Sequence, residues 1–166
     1  VEAHRGRRSG PRVSVVVPCY NLGKYLPDTL DSLIAQTDPD WEHLIYDDGS
    51  TDPEVADALV WAAKDTRVSV WRREENQDRP AAIWNFLLDR ARGRYFATLD
   101  DDNEKLPRFV EVMAGELDRD SSLDLVTCGF VVRTEGQADW EHHHNLNTTP
   151  DGVEQASTCE GGSMLY

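Results

Sequence analysis

The chain has 166 residues, enough for one domain with a sizeable core, and its 31 acidic and 17 basic residues give a net charge of −14. This acidity argues against a nucleic-acid partner, because non-specific binding to nucleic acid needs a basic surface. It also repels anionic substrates at long range, so an anionic ligand would need a metal ion or well-placed arginines beside it.

The cysteines and the apolar runs indicate the setting of the protein. Cys19, Cys128 and Cys159 lie far apart and form neither a zinc-binding spacing nor a disulfide framework. They predict reduced thiols in a cytoplasmic protein. No apolar run approaches the roughly 20 residues of a membrane-spanning helix, so we expect no transmembrane segment, with a place at the inner face of a membrane left open.

The two ends of the chain frame one predicted domain over residues 12–166. Residues 1–11 are basic, contain glycine and lack periodicity. They predict a flexible leader, and a basic arm that contacts anionic lipid is the alternative. Residues 162–166 indicate a strand that is cut short, so we expect the domain to be truncated at its C-terminus.

Between these ends, strands and helices are predicted to alternate. The predicted strands cover residues 13–17, 41–46, 68–71, 95–99 and 123–132. The predicted helices cover residues 24–36, about 53–64, a stretch that opens at Pro80, and about 104–117. Pro18 is expected to end the first strand, whose near-continuous β-branched residues are typical of a central parallel strand.

The stretch around which the chain is organised is residues 95–103, where a buried strand runs into Asp100, Asp101 and Asp102. Carboxylates at the end of such a strand would lie at the rim of the sheet, where ligands bind in open α/β folds. Three adjacent acids repel one another, and a divalent cation with a preference for hard oxygen ligands would explain them. A solvated turn in which Asn103 caps a helix is the alternative.

Two further features of the sequence point to a ligand. Asp47 and Asp48 follow the second strand, where a carboxylate can accept a hydrogen bond from the N–H of a base. Gly49 and Asp52 need no such explanation, since a tight turn and a helix N-cap account for them. Arg79 precedes a helix whose dipole disfavours cations, so it could face a diphosphate or an acidic loop, or form a surface salt bridge.

Other residues with ligating or reactive side chains are predicted to be structural. We expect Cys19 to be a packing residue, His43 to lie on a sheet face and Met113 to belong to the core. The charged segment 72–78 is predicted to be solvated in part. The histidines at 142–144 could supply a metal ligand, but a polar loop or hairpin is favoured, because the expected metal prefers oxygen.

Taken in their order, these motifs resemble the inverting family 2 glycosyltransferases with the GT-A fold. The segments that carry the resemblance are 13–21, 47–52, 78–85, 91–95 and 99–103. The branch that contains the spore-coat polysaccharide glycosyltransferase is the most similar, through Arg79-x-Ala-Ala-x-x-Asn85 and Asp101-Asp102-Asn103. Most family members carry Arg directly before the asparagine, where this chain has Trp84. The resemblance implies an α/β fold with a Rossmann-like, mostly parallel central sheet flanked by helices.

The resemblance also implies a reaction and a set of site residues. A sugar would pass from a UDP- or dTDP-sugar, with inversion, to a hydroxyl of a saccharide, lipid-linked or small-molecule acceptor, as in polysaccharide biosynthesis. The residues implied to bind the nucleotide are Pro18, Tyr20, Asn21, Asp47, Asp48, Arg79, Asn85, Asp100 and Asp101. Tyr20 would stack on the uracil, Asp101 would hold the ribose, and Asp102 would bind Mn²⁺ or Mg²⁺. An Asp-x-Asp pair of Asp100 and Asp102 is the alternative arrangement.

The general base is not identified by these motifs. In the family it usually follows the segment that contains Glu160 here, and no convincing candidate remains before Tyr166. Either the base lies outside this chain or Glu160 supplies it, and Glu160 could equally be a turn residue. The competing functions are a non-catalytic nucleotide-sugar-binding domain and a nucleotidyltransferase.

Overall fold

A computed structural model describes residues 10–132, 141–143 and 164–165. Residues 1–9 of the predicted leader and the candidate base Glu160 lie outside these ranges, so their predicted roles stay predictions. The helices are α1 (Leu26–Ile34), α2 (Pro53–Ala62), α3 (Pro80–Leu88) and α4 (Phe109–Arg119). The strands are β1 (Val13–Cys19), β2 (Trp41–Asp47), β3 (Val68–Arg72), β4 (Tyr95–Thr98), β5 (Val126–Thr127), β6 (Phe130–Val132), β7 (Glu141–His143) and β8 (Met164–Leu165).

Six of the strands form one sheet in the order β3-β2-β1-β4-β8-β5. The pairs β1–β2, β2–β3 and β1–β4 are parallel, whereas β8 runs antiparallel to β4 and β5. The predicted mostly parallel α/β sheet is therefore confirmed. Since β1 to β4 run in one direction, the residues that follow them meet at one edge of the sheet, which we call the carboxyl edge.

Helices cover both faces of this sheet. Residues of α1, α2 and α4 pack on one face against Val13, Val15 and Val17 of β1. On the other face Val16 packs with Ile83 and Leu87 of α3. Burial from both sides explains the near-continuous apolar sequence of β1.

Two residues predicted to be structural lie in the protein interior. Met113 is buried in the core beside the sheet, and His43 is fully buried within β2. Burial of His43 lowers its pKa to about 3, so the imidazole is neutral. Both predictions are confirmed.

The predicted end of the first strand is wrong. Pro18 lies within β1, opposite Tyr46 of β2, and the strand continues to Cys19. The ladder between β1 and β4 ends at Val16, opposite Thr98. Beyond Val16 the strand has a neighbour on one side only, and a proline that lacks an N–H is tolerated there.

The helix predicted from residue 104 begins later, at Phe109. Leu106 precedes Pro107, and a residue before proline is disfavoured in the helical conformation. The backbone N–H of Lys105 instead donates to Ser32 Oγ at 3.0 Å, which ties this segment to α1. The chain therefore crosses from β4 to α4 through turns and irregular backbone rather than through a helix.

The predicted strand over 123–132 is divided in two. Its first part is β5, at the edge of the main sheet, and its second part is β6, which pairs antiparallel with β7 in a separate two-stranded sheet. The pairing of β6 with β7 agrees with the hairpin interpretation of the histidine-rich segment. No helix in the described part of the chain has both the length and the apolar character needed to cross a bilayer.

Candidate functional site

A cleft of about 190 Å³ opens at the carboxyl edge of the sheet. Its lining comes from the ends of β1, β2 and β4 and from the start of α3. The lining residues are Pro18, Cys19, Tyr20, Asp48, Pro80, Ile83 and Asp101. The fold thus brings together four residues that the sequence assigns to nucleotide binding, namely Pro18, Tyr20, Asp48 and Asp101.

The loop after β1 is tied directly to the acidic loop after β4. The backbone N–H of Tyr20 donates to Asp101 Oδ2 at 3.0 Å, and Thr29 Oγ1 donates to the carbonyl oxygen of Asp101 at 3.2 Å. Burial raises the pKa of Asp101, against the opposing effect of the Tyr20 hydrogen bond. The Tyr20 side chain is 44% exposed, so its ring is accessible beside a fixed carboxylate.

Cys19 lines the same cleft but is only 3% exposed. Burial raises the pKa of its thiol, with a further upward effect from the nearby Asp47 carboxylate. A thiol that stays protonated is a poor nucleophile, which agrees with its predicted packing role.

Asn21 has a structural function that the sequence analysis did not identify. It adopts a left-handed conformation with φ of 55°, which asparagine tolerates better than most residues. Its Oδ1 accepts hydrogen bonds from the N–H groups of Thr51 at 2.8 Å and Asp52 at 3.1 Å. Asp52 in turn caps α2 as predicted, by accepting from the N–H of Glu54. Asn21 therefore joins the loop after β1 to the start of α2, and its predicted contact with a nucleotide stays a prediction.

The two aspartates at the end of β2 lie in different surroundings. Asp47 is fully buried, accepts the Ser50 N–H at 2.9 Å through Oδ1, and has Arg72 Nε 3.2 Å from its Oδ2. Asp48 is 6% exposed and lines the cleft, with Arg73 Nε 2.7 Å from its Oδ1. Asp47 therefore shapes the turn, and Asp48 lines the cleft, while the predicted contacts of both with a nucleotide stay predictions.

Arg73 is the site residue that the sequence analysis missed. The charged segment 72–78 is indeed mostly exposed, but the side chain of Arg73 is only 15% exposed and lies against Asp48. The pairing of Arg73 with Asp48 could be predicted only from the strand register, in which Asp47 lies opposite Arg72 of the β2–β3 ladder. That register cannot be deduced until β2 and β3 are known to be neighbours.

The segment after Arg73 packs closely on the turn that holds Asp48. Gly49 has φ of +75°, a conformation that favours glycine. A Cβ at this position would lie 2.6 Å from the backbone nitrogen of Asn76 and 2.6 Å from the carbonyl carbon of Glu75. The glycine therefore lets two backbone segments meet beside the cleft.

The three acidic residues after β4 also differ in whether they line the cleft. Asp101 lines the cleft, whereas Asp100 and Asp102 are exposed. Asp100 Oδ2 accepts a hydrogen bond from Asn103 Nδ2 at 3.4 Å. Asn103 does not cap the following helix, whose N-cap is Arg108, so that part of the alternative is wrong, whereas residues 101–102 do form a turn.

The described residues fit a metal only in combination with a ligand. Within the described ranges, no three His, Cys, Asp or Glu side chains are close enough to hold a metal by themselves. Asp102 is exposed and forms no hydrogen bond or ion pair with a described residue. Mg²⁺ and similar cations are commonly held by one or two carboxylates together with substrate phosphates, and Asp102 suits that arrangement.

Two predicted nucleotide-binding residues lie near the cleft without lining it. Arg79 is exposed directly before Pro80, which opens α3 as predicted, and its side chain forms no hydrogen bond or ion pair with a described residue. Asn85 is exposed on α3. Both side chains are thus accessible to a ligand larger than the cleft.

Comparisons with known proteins show the family and the fold of the chain. The family model for glycosyl transferase family 2 matches residues 14–163. TuaG of Bacillus subtilis, named as a glycosyltransferase of teichuronic acid biosynthesis, is 40% identical over 107 residues, which are 62% of this chain and 42% of that protein. TarS of S. aureus shares 28% identity at a TM-score of 0.63, over 69% of this chain and 34% of that one.

Two solved complexes among the similar structures contain a donor. TarS has been solved with UDP-GlcNAc, at a TM-score of 0.61 and 25% identity, over 77% of this chain and 36% of that one. The mannosyltransferase PcManGT of Pyrobaculum calidifontis has been solved with GDP-Man and Mn²⁺, at a TM-score of 0.59 and 25% identity, over 73% of this chain and 36% of that one.

This chain spans less than half the length of each of these proteins. Its mostly parallel sheet flanked by helices is that of the GT-A glycosyltransferases, which confirms the predicted fold. The family model covers most of the chain, and the sequence motifs agree with it. The chain belongs to glycosyl transferase family 2.

Proposed function

We propose that this chain forms the donor-binding part of an inverting, metal-dependent glycosyltransferase that uses a UDP- or dTDP-sugar. The observation that carries the proposal is the convergence of Tyr20, Asp48 and Asp101 on one cleft from the ends of three strands. The UDP-GlcNAc and GDP-Man complexes of TarS and PcManGT support a nucleotide sugar as the ligand.

The nucleoside would be held by the residues that line the cleft. Asp48 accepts a hydrogen bond from a base N–H, and the exposed ring of Tyr20 stacks on the base. Asp101 already accepts the N–H of Tyr20 and has lone pairs left for the hydroxyls of a ribose. The chain neighbours of these three residues are Asn21, Asp47 and Asp100. Of these, Asn21 and Asp47 support the turn after β2.

The diphosphate would be held outside the cleft, beside the exposed acidic loop. A divalent ion, Mn²⁺ or Mg²⁺, bound with the donor at Asp102 would neutralise the diphosphate as it leaves. Arg79, at the start of α3, adds a guanidinium that can bind two phosphate oxygens at once. Local positive charge is needed here, since a chain with a net charge of −14 repels a diphosphate at long range.

The acceptor hydroxyl would be deprotonated by a carboxylate within hydrogen-bond reach and aligned opposite the leaving group. Glu160, outside the described residues, is the one candidate within the chain, and a base in the rest of a longer protein is the other. The acceptor is a saccharide, a lipid-linked molecule or a small molecule that carries a hydroxyl.

Calorimetric titration with UDP and with dTDP tests this proposal. We expect micromolar to millimolar binding that needs Mn²⁺ in the wild type and is weakened at least tenfold in Asp102→Ala, because one metal ligand is lost. Asp57→Ala, which removes an exposed carboxylate of α2, is the matched control and should bind like the wild type. Absence of binding by either diphosphate at millimolar concentration with Mn²⁺ would reduce the likeness to a shared fold.

A further inference from the structure

We propose that Arg73 is a positioning residue for base recognition, which orients Asp48 so that one carboxylate oxygen faces the cleft and accepts a base N–H. The inference rests on the proposed function, since it concerns the nucleotide that this cleft would hold. It adds the side chain on which the choice of uracil or thymine over cytosine would depend.

The geometry of the Asp48–Arg73 pair carries the proposal. Arg73 Nε lies 2.7 Å from Asp48 Oδ1 in an ion pair that is sealed from solvent, and neither atom has a hydrogen-bond partner among the described residues. Asp48 Oδ2 accepts no hydrogen bond from a described residue, while Asp48 itself lines the cleft. One oxygen therefore fixes the carboxylate, and the other is left for a ligand.

Arg73 is itself held in place by aromatic packing. Its guanidinium lies 5.1 Å from the ring centre of Tyr46, whose ring meets Phe86 edge to face at 4.9 Å. Phe86 belongs to α3, whose Pro80 and Ile83 line the cleft. The orientation of Arg73 is thus fixed by the same helix that forms one wall of the cleft.

Pairing of the two arginines with the two aspartates follows from the sheet. Asp47 is opposite Arg72 in the parallel β2–β3 ladder, and Asp48 and Arg73 follow directly after the ends of these two strands. Arg72 therefore pairs with Asp47 inside the turn, and Arg73 pairs with Asp48 at the cleft. Arg79, by contrast, is exposed and its side chain forms no hydrogen bond or ion pair with a described residue, so it is available to bind phosphate instead.

The chemical consequence is a preference among pyrimidines. Uracil and thymine carry a hydrogen on N3 that a fixed carboxylate oxygen can accept, whereas N3 of cytosine carries none. A polar site built for one hydrogen bond rejects a ligand that lacks it, because its buried group is left unpaired. The cleft should therefore bind UDP more tightly than CDP, and this preference should depend on Arg73.

The test compares the affinities of UDP, CDP and inorganic pyrophosphate, each with Mn²⁺, by calorimetry. In Arg73→Lys, which keeps the charge but not the planar guanidinium, we expect the preference for UDP over CDP to fall about tenfold. The affinity for pyrophosphate, which has no base, should stay within about twofold of the wild type, since the contacts of P–O groups are unaltered.

Arg92→Lys is the matched control. Arg92 pairs with the buried Glu42 at the opposite edge of the sheet, so this variant disturbs another arginine–carboxylate pair away from the cleft, although the Arg92 side chain is the more exposed of the two arginines. It should lower the melting temperature and leave the preference for UDP unchanged. A loss of preference in Arg92→Lys as large as that in Arg73→Lys would overturn the proposal, because it would show a general effect of instability.

Other outcomes separate this proposal from the proposed function. An unchanged preference in folded Arg73→Lys would overturn it, and so would a loss of preference in Arg79→Gln instead. If Arg73→Lys does not fold, the double variant Asp48→Asn with Arg73→Gln removes both charges together, and a retained preference there would overturn it. If the wild type binds neither UDP nor pyrophosphate, the proposed function fails as well.

Discussion

The two edges of the sheet differ in how completely their charges are paired. At the amino edge Glu42, which is 3% exposed, accepts hydrogen bonds from Ser14 Oγ at 2.6 Å and from Arg92 Nε at 2.8 Å. Ser14 Oγ in turn accepts the N–H of Gly93 at 2.8 Å. At the carboxyl edge Asp102 has no partner among the described residues. Paired charges stabilise the fold at one edge, and partly unpaired charges at the other are available to a ligand.

A second cluster of paired charges lies at the amino edge. Arg12 lies 2.7 Å from Asp38 and 2.6 Å from Asp118, and Arg94 lies 2.6 Å from the same Asp118. Burial acts to raise the pKa of Asp118, but hydrogen bonds from Arg12 and Tyr95 outweigh it, and the pKa is lowered. Several partners per charge make this edge a support for the sheet rather than a site.

The largest change in stability is expected for Glu42→Ala at the amino edge. We expect the free energy of unfolding to fall by about 3 kcal/mol, because the hydroxyl of Ser14 and the donors of Arg92 lose their buried acceptor. Urea denaturation measures the change. A loss below about 0.5 kcal/mol would mean that water replaces the carboxylate without cost, and the edge would then not be a support.

A smaller effect of the opposite sign is expected for Lys105→Met beside the carboxyl edge. Lys105 is 4% exposed, its Nζ has no hydrogen-bond partner within the described ranges, and its ammonium lies 4.5 Å from the ring centre of Phe109. Removal of this buried charge should raise the free energy of unfolding by about 1–2 kcal/mol at pH 7. Urea denaturation of both proteins would show it.

The gain from Lys105→Met should also depend on pH. Burial lowers the pKa of Lys105 to about 8, while nearby Cys128 and Asp100 oppose the shift. Between pH 8 and the ordinary lysine pKa, the unfolded wild type binds a proton that the folded one has lost, so wild-type stability rises with pH. The advantage of the methionine variant should therefore shrink above pH 8. An advantage that grows with pH would contradict a buried ammonium.

The smallest change is expected for Asp102→Asn at the carboxyl edge. Its free energy of unfolding should stay within about 0.5 kcal/mol of the wild type, with any change upward, because an exposed like charge is removed from a run of three. Mn²⁺ with UDP should raise the melting temperature of the wild type but not of this variant. A large loss of stability in Asp102→Asn would place the residue among the supports of the fold.

Whether the sequence predicts a feature of either edge of the sheet depends on how far apart along the chain the interacting residues lie. Local patterns suffice for β1, for the N-cap Asp52 and for the acidic loop after β4, since each depends on consecutive residues. The pairing of Asp48 with Arg73 depends on the order of the strands and on their register. No local pattern contains that information, so the segment after β3 is predicted only as a charged loop.

The errors at Pro18 and at the start of α4 have a related cause. Proline ends a strand with neighbours on both sides, but β1 keeps only one neighbour at Pro18. The helix expected from residue 104 is displaced to Phe109 by Pro107 and by a hydrogen bond from Lys105 to α1. In both cases a tertiary neighbour decides the outcome over the local preference.

The position of β8 has a consequence for the order of folding. Strands β1, β2 and β3 can pair during synthesis, and β4 joins them once residues 95–98 have emerged. The second edge of β4 stays unpaired until Met164 and Leu165 have been synthesised, because β8 lies between β4 and β5 in the sheet. An open strand edge can pair with another chain, so nascent chains that end before β8 are expected to aggregate more readily, which light scattering of such fragments would reveal. Before any donor binds, charge repulsion from the acidic loop after β4 would then disfavour that pairing between chains.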